Sequence, residues 1–371
     1  MKSKILYPDY TNSILNVTST LLKHYQAHTI YPSIPYLEES LTTNSKHVLL
    51  VLLDGMGINI INKYLKPEDF LRKNVKKVIT SVFPPTTVAA TNAVLSGLPP
   101  YSSGYLGWVQ YFKHEKTNHI VFKDTDFYDE GRVFVGSLKD KYLKYPTIYE
   151  QIERANPNIK TYELFPSFRE NGFESFEKQV DHAIDITRKD EQNFSYIYWT
   201  EPDFTEHDHG TDSKETKDML VSLNKEVERL SQSISKDTTL IVIADHGFMN
   251  VKGIDLYENT EIIRCLKRKP SMEPRATNFF VKIFQKRKFV SLFKRNYGRD
   301  FQLFSKKELY ASGLLGDGEK HPLLDDFLGN YIAVSISDKM FNFKEHSHFK
   351  GHHAGLTKGE MQVPLIIFQK D

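Results

Sequence analysis

The chain has 371 residues, long for one compact domain and short for three, so a single domain carrying insertions is expected. Its 49 basic and 47 acidic residues leave a formal charge of +2, which gives no global reason to expect a nucleic-acid polymer or an anionic membrane as partner. One cysteine, Cys265, excludes a disulfide framework and a thiolate cluster, so any metal site must draw on His, Asp and Glu.

The N-terminal stretch lacks the apolar run and cleavage site of a secretory signal, and no stretch approaches about 18 uninterrupted apolar residues. A cytoplasmic location with no membrane span is therefore expected. Short apolar runs predict buried strands at His47–Leu53, Val78–Phe83, Phe194–Trp199, Thr238–Ala244 and Val363–Phe368. Near-continuous apolar runs of this length suit a sheet covered on both faces. Helical patterns fall between them, at Met56–Tyr64, Thr87–Leu95, Phe173–Arg188 and Lys214–Ile234. Strands alternating with helices argue for a three-layer α/β/α sandwich with a mainly parallel central sheet.

Two regions break the rhythm. Residues from about Tyr101 to Tyr145 are aromatic and loop-rich. Residues from about Asp255 to Phe349 carry the basic runs Lys267-Arg268-Lys269 and Lys286-Arg287-Lys288, a further strand at Asn278–Phe284 and the turn-rich Gly313–Pro322. The second region is expected to be a cap inserted before the last core strand, with its basic runs as solvated faces.

Three of the apolar strands run into acids: Asp54, then Glu201 and Asp203, then Asp245. In open α/β sheets ligands bind at the carboxyl ends of the strands. Carboxylates gathered there repel and raise one another's pKa values, and a divalent cation removes the conflict. Histidines accompany the acids. Asp203 and His207 are four apart, one helical turn. Asp245 and His246 are adjacent, and Gly247 permits a sharp turn. His346, His348, His352 and His353 precede the last strand. Mixed imidazole and carboxylate ligation points to zinc first, then manganese or iron.

A nucleophile candidate lies in Val82–Thr87, where the chain enters a helix. A hydroxyl there feels the positive end of the helix dipole, and the first backbone amides can hold a phosphate oxygen. Thr86 and Thr87 both qualify, since either can instead be the N-cap. Metal coordination is one route from a weak hydroxyl to an alkoxide. Asp54 has a plainer reading as a helix cap. Tyr105, Trp108, Tyr111 and Phe112 either stack a flat substrate group or pack their loop on the core. Tyr105 and Trp108 are the substrate-binding candidates. His321 is a candidate to reach the pocket from the cap.

These motifs resemble the nucleotide pyrophosphatase/phosphodiesterase branch of the alkaline phosphatase superfamily. The resemblance rests on VLLDG at Val51–Gly55, FPPTTVAATNAVLSGLPP at Phe83–Pro100, EPDFTEHDHG at Glu201–Gly210, ADHG at Ala244–Gly247, HHAG at His352–Gly355 and LTKGEMQVPLII at Leu356–Ile367. It implies a single catalytic domain with two divalent ions, most readily Zn2+ and then Mn2+. Asp203, His207 and His353 would hold one ion, and Asp54, Asp245 and His246 the other. His352 is the rival of His353, and His346 and His348 are expected on a surface loop.

The resemblance also implies that Thr87 is the nucleophile and forms a phospho-enzyme on a small phosphoester or nucleotide. Trp108 occupies the place of a family asparagine that binds a phosphate oxygen, leaving that contact to a backbone amide, another side chain or Asn92. Ala354 replaces a frequent glycine. The alternatives are a phosphomutase or phosphonate-bond hydrolase of the same superfamily, or a catalytically silent metal-stabilised binding protein.

Overall fold

The computed structural model describes residues 5–41, 45–344 and 348–370. Its central sheet has six strands, in the spatial order Val75–Thr80, Gln362–Lys370, Thr238–Ile243, His47–Leu53, Asn193–Trp199 and Lys160–Leu164. Gln362–Lys370 runs antiparallel to both neighbours, and the remaining pairs are parallel. The middle strand His47–Leu53 is buried at every position, as its unbroken apolar run requires.

Helices cover both faces. Ile14–His24 packs with Thr87–Ser96 and Ile148–Ala155 on one side. Lys214–Ser233 packs with Phe176–Thr187, Phe70–Lys73 and Ile58–Tyr64 on the other. The architecture is the three-layer α/β/α sandwich expected.

Two strand assignments shift, and one was missed. The strand expected at Val78–Phe83 is Val75–Thr80, an edge strand whose Lys76, Lys77 and Val78 are exposed. Edge positions tolerate lysine, so the apolar window slid toward the buried but irregular Ser81–Phe83. Lys160–Leu164 forms the opposite edge; it is largely polar and has no apolar run to betray it. The strand expected at Asn278–Phe284 is Ala276–Phe279, and the chain then leaves the sheet into a 3-10 turn at Ile283–Gln285.

The two regions that break the sequence rhythm contribute to one antiparallel sheet of seven strands. Its order is Phe301–Ser305, Tyr331–Ser335, Ala276–Phe279, Ser271–Glu273, Val109–Phe112, Thr117–Ile120 and Thr125–Asp126. A buried ion pair ties this sheet to the last loop of the first. Arg275 donates through Nε and Nη2 to both carboxylate oxygens of Glu360, at 2.6 and 2.8 Å, with both side chains fully buried. Glu360 also accepts from Gly355 N and from the Thr357 hydroxyl, at 2.6 Å each. A buried charge pair holds when its remaining lone pairs are satisfied in this way.

Candidate active site

Strand register builds the site. Leu53 pairs with Trp199 and Leu52 with Ile243, so three parallel strands finish level with one another. The residues that follow, Asp54, Asp203 and Asp245, therefore leave the sheet at one edge. Asp203 begins a short helix, Asp203–His209, that carries His207 on its next turn. Gly55 makes the convergence fit: it has φ +76°, and a Cβ there would lie 3.0 Å from the Asp203 Cα. Gly247 is needed for the same reason, since its Cβ would lie 2.2 Å from the Gly359 carbonyl oxygen.

The side chains meet at short range. His246 Nε2 lies 3.4 Å from Asp54 Oδ1, 3.3 Å from Asp245 Oδ2 and 3.9 Å from Asp203 Oδ1. His353 Nε2 and His207 Nε2 each lie 3.7 Å from an Asp203 oxygen. The His246 and His353 rings stack with centroids 3.9 Å apart. All six expected ligands are thus in one cluster. Asp203, His207 and His353 have donor atoms close enough to share one ion, as do Asp54, Asp203 and His246. Asp203 stands at the junction of both sets.

The electrostatics show what this cluster fits. Each imidazole turns its Nδ1 toward a backbone carbonyl: His207 to Gly351 at 3.1 Å, His246 to Gly247 at 3.3 Å and His353 to Pro85 at 3.2 Å. A carbonyl only accepts, so Nδ1 carries the proton and Nε2 presents a lone pair to the carboxylates. Burial favours these neutral forms. It pushes the His207 pKa down to about 4 and lowers those of His246 and His353, the last also opposed by its neighbouring imidazoles. Burial, then the neighbouring carboxylates, pushes the Asp54 and Asp203 pKa values well up.

With the carboxyls ionised, lone pairs face carboxylate oxygens with nothing to share, and Asp203 Oδ1 and Asp245 Oδ2 are buried without a hydrogen-bond partner. A cation resolves each of these conflicts at once. Imidazole Nε2 ligands whose Nδ1–H is anchored on backbone form the arrangement that orients histidine toward a metal. The donor set fits two divalent ions.

Thr87 is the first residue of the helix Thr87–Ser96, which Gly97 ends in a left-handed conformation at φ +70°. Its Oγ1 lies 3.2 Å from His246 Nε2 and 3.5 Å from Asp54 Oδ1. The Thr86 hydroxyl is spent elsewhere, donating to Glu273 Oε1 at 2.7 Å. The geometry separates two residues that the sequence left as rivals. It also separates His353, inside the cluster, from His352, whose Nδ1 accepts the His353 amide N–H at 2.9 Å. His348 is exposed, and His346 lies outside the described residues. Ala354 has φ +88°, the region that favours glycine, which accounts for the frequent glycine of the family pattern.

The substrate-contact expectations fare less well. Tyr105 is buried and packs edge-on against Tyr145 at 5.7 Å, so its ring is committed to the core under the second sheet. Tyr111 and Phe112 are likewise buried. Trp108 is half-buried, with its ring edge-on to Phe122 and its amide N–H donating to Glu273 Oε1 at 2.6 Å. Asn92 donates to the Val88 carbonyl and accepts from the Tyr145 hydroxyl, so its carbonyl oxygen and one of its amide donors are engaged within the fold. His321 binds the Tyr142 carbonyl and stacks on Phe327, and it lines a separate groove of about 440 Å³ with Tyr31, Gly97 and Ser102.

Two residues near the site escaped sequence reasoning. Glu273, buried in the second sheet, gathers the Thr86 hydroxyl and the Trp108 amide, and so fixes the start of the Thr87 helix. Burial pushes its pKa up to about 7. Tyr198 donates its hydroxyl to Asp54 Oδ2. Tyr198 was within reach, because it sits next to the end of a strand already assigned. No motif pointed to Glu273.

A family model described as type I phosphodiesterase / nucleotide pyrophosphatase matches residues 48–308. Human ectonucleotide pyrophosphatase/phosphodiesterase family member 5 is 24% identical over 225 residues, covering 56% of this chain and 46% of the relative. The match thus spans about half the length of that curated relative. Among solved structures, murine ectonucleotide pyrophosphatase/phosphodiesterase 5, in an inactive form with AMP, superposes with a TM-score of 0.64 at 17% identity, covering 87% of each chain. Phosphonoacetate hydrolase from Sinorhizobium meliloti, in complex with phosphonoformate, gives 0.63 at 14% identity, covering 86% of this chain and 89% of its own. Identities this low speak for a shared fold.

Proposed function

The chain belongs to the type I phosphodiesterase / nucleotide pyrophosphatase family, and from that premise we propose that it is a metal-dependent phosphoester hydrolase working through a phosphothreonine at Thr87. The observation that carries the reading is the Thr87 hydroxyl beside lone-pair-bearing imidazoles and unpartnered buried carboxylates. The murine relative whose inactive form carries a threonine-to-alanine change and holds AMP supports a threonine nucleophile and a small nucleotide substrate.

Asp203, His207 and His353 would hold one ion, and Asp54, Asp245 and His246 the other, with Asp203 near both. Bound there, two divalent cations would supply Lewis acidity that lowers the hydroxyl pKa, offsets phosphoryl charge and stabilises the leaving oxygen. The protein does the rest. Glu273 anchors Thr86, which places Thr87 Oγ1 at the helix N-terminus, where free amides and the dipole receive a phosphoryl oxygen. Thr87 Oγ1 bonds to phosphorus as one ester or anhydride oxygen departs and takes up the hydroxyl proton, so that an alcohol or phosphate product leaves and phosphorus, still carrying its other substituent, stays esterified to Thr87. Water then cleaves the bond to Thr87, restores the hydroxyl and releases the remaining phosphate monoester or nucleotide. The sum is one water added across one P–O bond.

The substrate class follows from charge. The Arg275 guanidinium is consumed by Glu360, and the Glu273 carboxyl stands beside the nucleophile helix. A second negative charge on phosphorus is disfavoured in such surroundings, so phosphodiesters and nucleotide pyrophosphates are preferred to monoesters. With zinc or manganese present, bis-nitrophenyl phosphate is expected to turn over at least about tenfold faster than nitrophenyl phosphate, on the order of 1.4 kcal/mol in barrier. Equal or faster monoester cleavage removes the substrate preference. Cleavage of a phosphonate in preference to both esters favours the phosphonate-bond reading.

A further inference from the structure

The apolar window Asn278–Phe284 leaves its sheet after Phe279 and ends in a turn that holds two large side chains in solvent: Ile283 is 71% exposed and Phe284 94%. Burying such residues is the usual gain of folding, so their exposure side by side needs a reason.

Cations surround them. Lys282, Arg287 and Lys288 are exposed and Lys286 is half-buried. A bridge between Leu266 and Val281 brings the other basic run alongside. Lys267 N donates to the Phe280 carbonyl at 2.7 Å, and Lys282 N to the Cys265 carbonyl at 2.9 Å. Lys267 and Lys269 are exposed, and the half-buried Arg268 guanidinium lies between the Tyr111 ring at 3.9 Å and the Phe280 ring at 4.8 Å. Lys282 and Lys288 both lie within electrostatic reach of Cys265, across the bridge. The runs that read as separate solvated faces are one patch. Among the described residues, none of these seven side chains forms an ion pair; the neighbouring Glu261 is engaged by Arg295.

Stability does not explain the arrangement. The helix Lys286–Tyr297 opens with Lys-Arg-Lys, has no acid in its first turn and has no side-chain cap. Cations at a helix N-terminus face the positive end of the dipole. The sequence thus holds positive charge where the helix resists it and apolar surface where water resists it.

We propose that this patch docks on an anionic phospholipid bilayer, with Phe284 and Ile283 entering the boundary between headgroups and acyl chains and the seven cations lying over lipid phosphates. The combination of an apolar tip with an unneutralised basic surround is the composition such surfaces select. A nucleic acid fits less well, because strands are held by stacking on π-faces and Ile283 has none. The near-neutral net charge hides the patch, since the excess is local.

Co-sedimentation of the full-length, metal-loaded protein with vesicles tests the idea. Binding is expected to vesicles of mixed phosphatidylcholine and phosphatidylglycerol, to be absent with phosphatidylcholine alone, and to fall as salt rises. Ile283→Ser with Phe284→Ser, and separately Lys286→Gln with Arg287→Gln and Lys288→Gln, are each expected to weaken binding about tenfold or more. Melting temperature should not fall in either, and hydrolysis of a soluble diester should stay unchanged in both. No binding by the wild type, equal binding to both vesicle types, or undiminished binding by both variants overturns the proposal. So does capture of a single-stranded oligonucleotide in preference to the anionic vesicles.

Discussion

Replacing Thr87 by alanine is expected to reduce turnover of a nitrophenyl phosphodiester by at least about a thousandfold while leaving the fold intact. The loss is large because Thr87 supplies the atom that bonds to phosphorus, and the other hydroxyl at Asp54, that of Tyr198, is spent as a donor to Asp54 Oδ2. The fold survives because Thr87 is the first residue of its helix, where alanine is a better helix former. Thr86→Ala makes the informative contrast. It removes the hydroxyl held by Glu273, at an N-cap whose side chain makes no cap bond, and is expected to cost about 1–2 kcal/mol of stability with turnover reduced far less than by Thr87→Ala. Steady-state rates together with denaturant melts check both. The nucleophile assignment fails if Thr87→Ala stays active, or if Thr86→Ala is the variant that loses turnover without loss of stability.

Stripping the metals is the second large effect. Chelation is expected to abolish turnover and to lower stability on the order of 4 kcal/mol for each site normally held at about a thousand times its Kd. Zinc or manganese should restore both. The pH dependence has a definite sign. In the metal-free protein the pKa values of Asp54 and Asp203 are raised above their unfolded values by burial and by their neighbours. A carboxyl raised in the folded state contributes stability that is fully present below its unfolded pKa and is lost as pH rises through its folded pKa. The buried neutral imidazoles, whose pKa values burial lowers, take stability from the stripped protein as pH falls below about 6.5, while the carboxyls weaken it as pH rises through their raised pKa values. Bound cations remove that slope, so the melting temperatures of loaded and stripped protein should diverge as pH rises. Curves that stay parallel, or coincide, contradict the account.

Much of the site was legible because of where its residues sit. Strands covered on both faces must be apolar throughout, so His47–Leu53 and Thr238–Ile243 were visible, and the acids at their ends stood out against them. The edge strands Lys160–Leu164 and Val75–Thr80 were missed or shifted because an edge needs no such run. Thr86 and Thr87 share a helix start and a side-chain chemistry. What separates them is Glu273, about two hundred positions away in another sheet, and no local pattern links the two. Glu360 had a local signal, the capping box from Thr357, yet its partner Arg275 did not. Tyr105 illustrates the converse: aromatic residues near a site suggest stacking, and only packing against Tyr145 shows where the ring is spent.

The central claim is that acids and neutral imidazoles crowd together here because cations lie between them. Elemental analysis of protein purified without chelator, paired with anomalous diffraction to place each ion, tests it most directly. The account predicts two divalent ions per chain, one beside His207 and His353 and one beside Asp54 and His246. A well-folded protein with the six side chains in contact and no ion among them would contradict it.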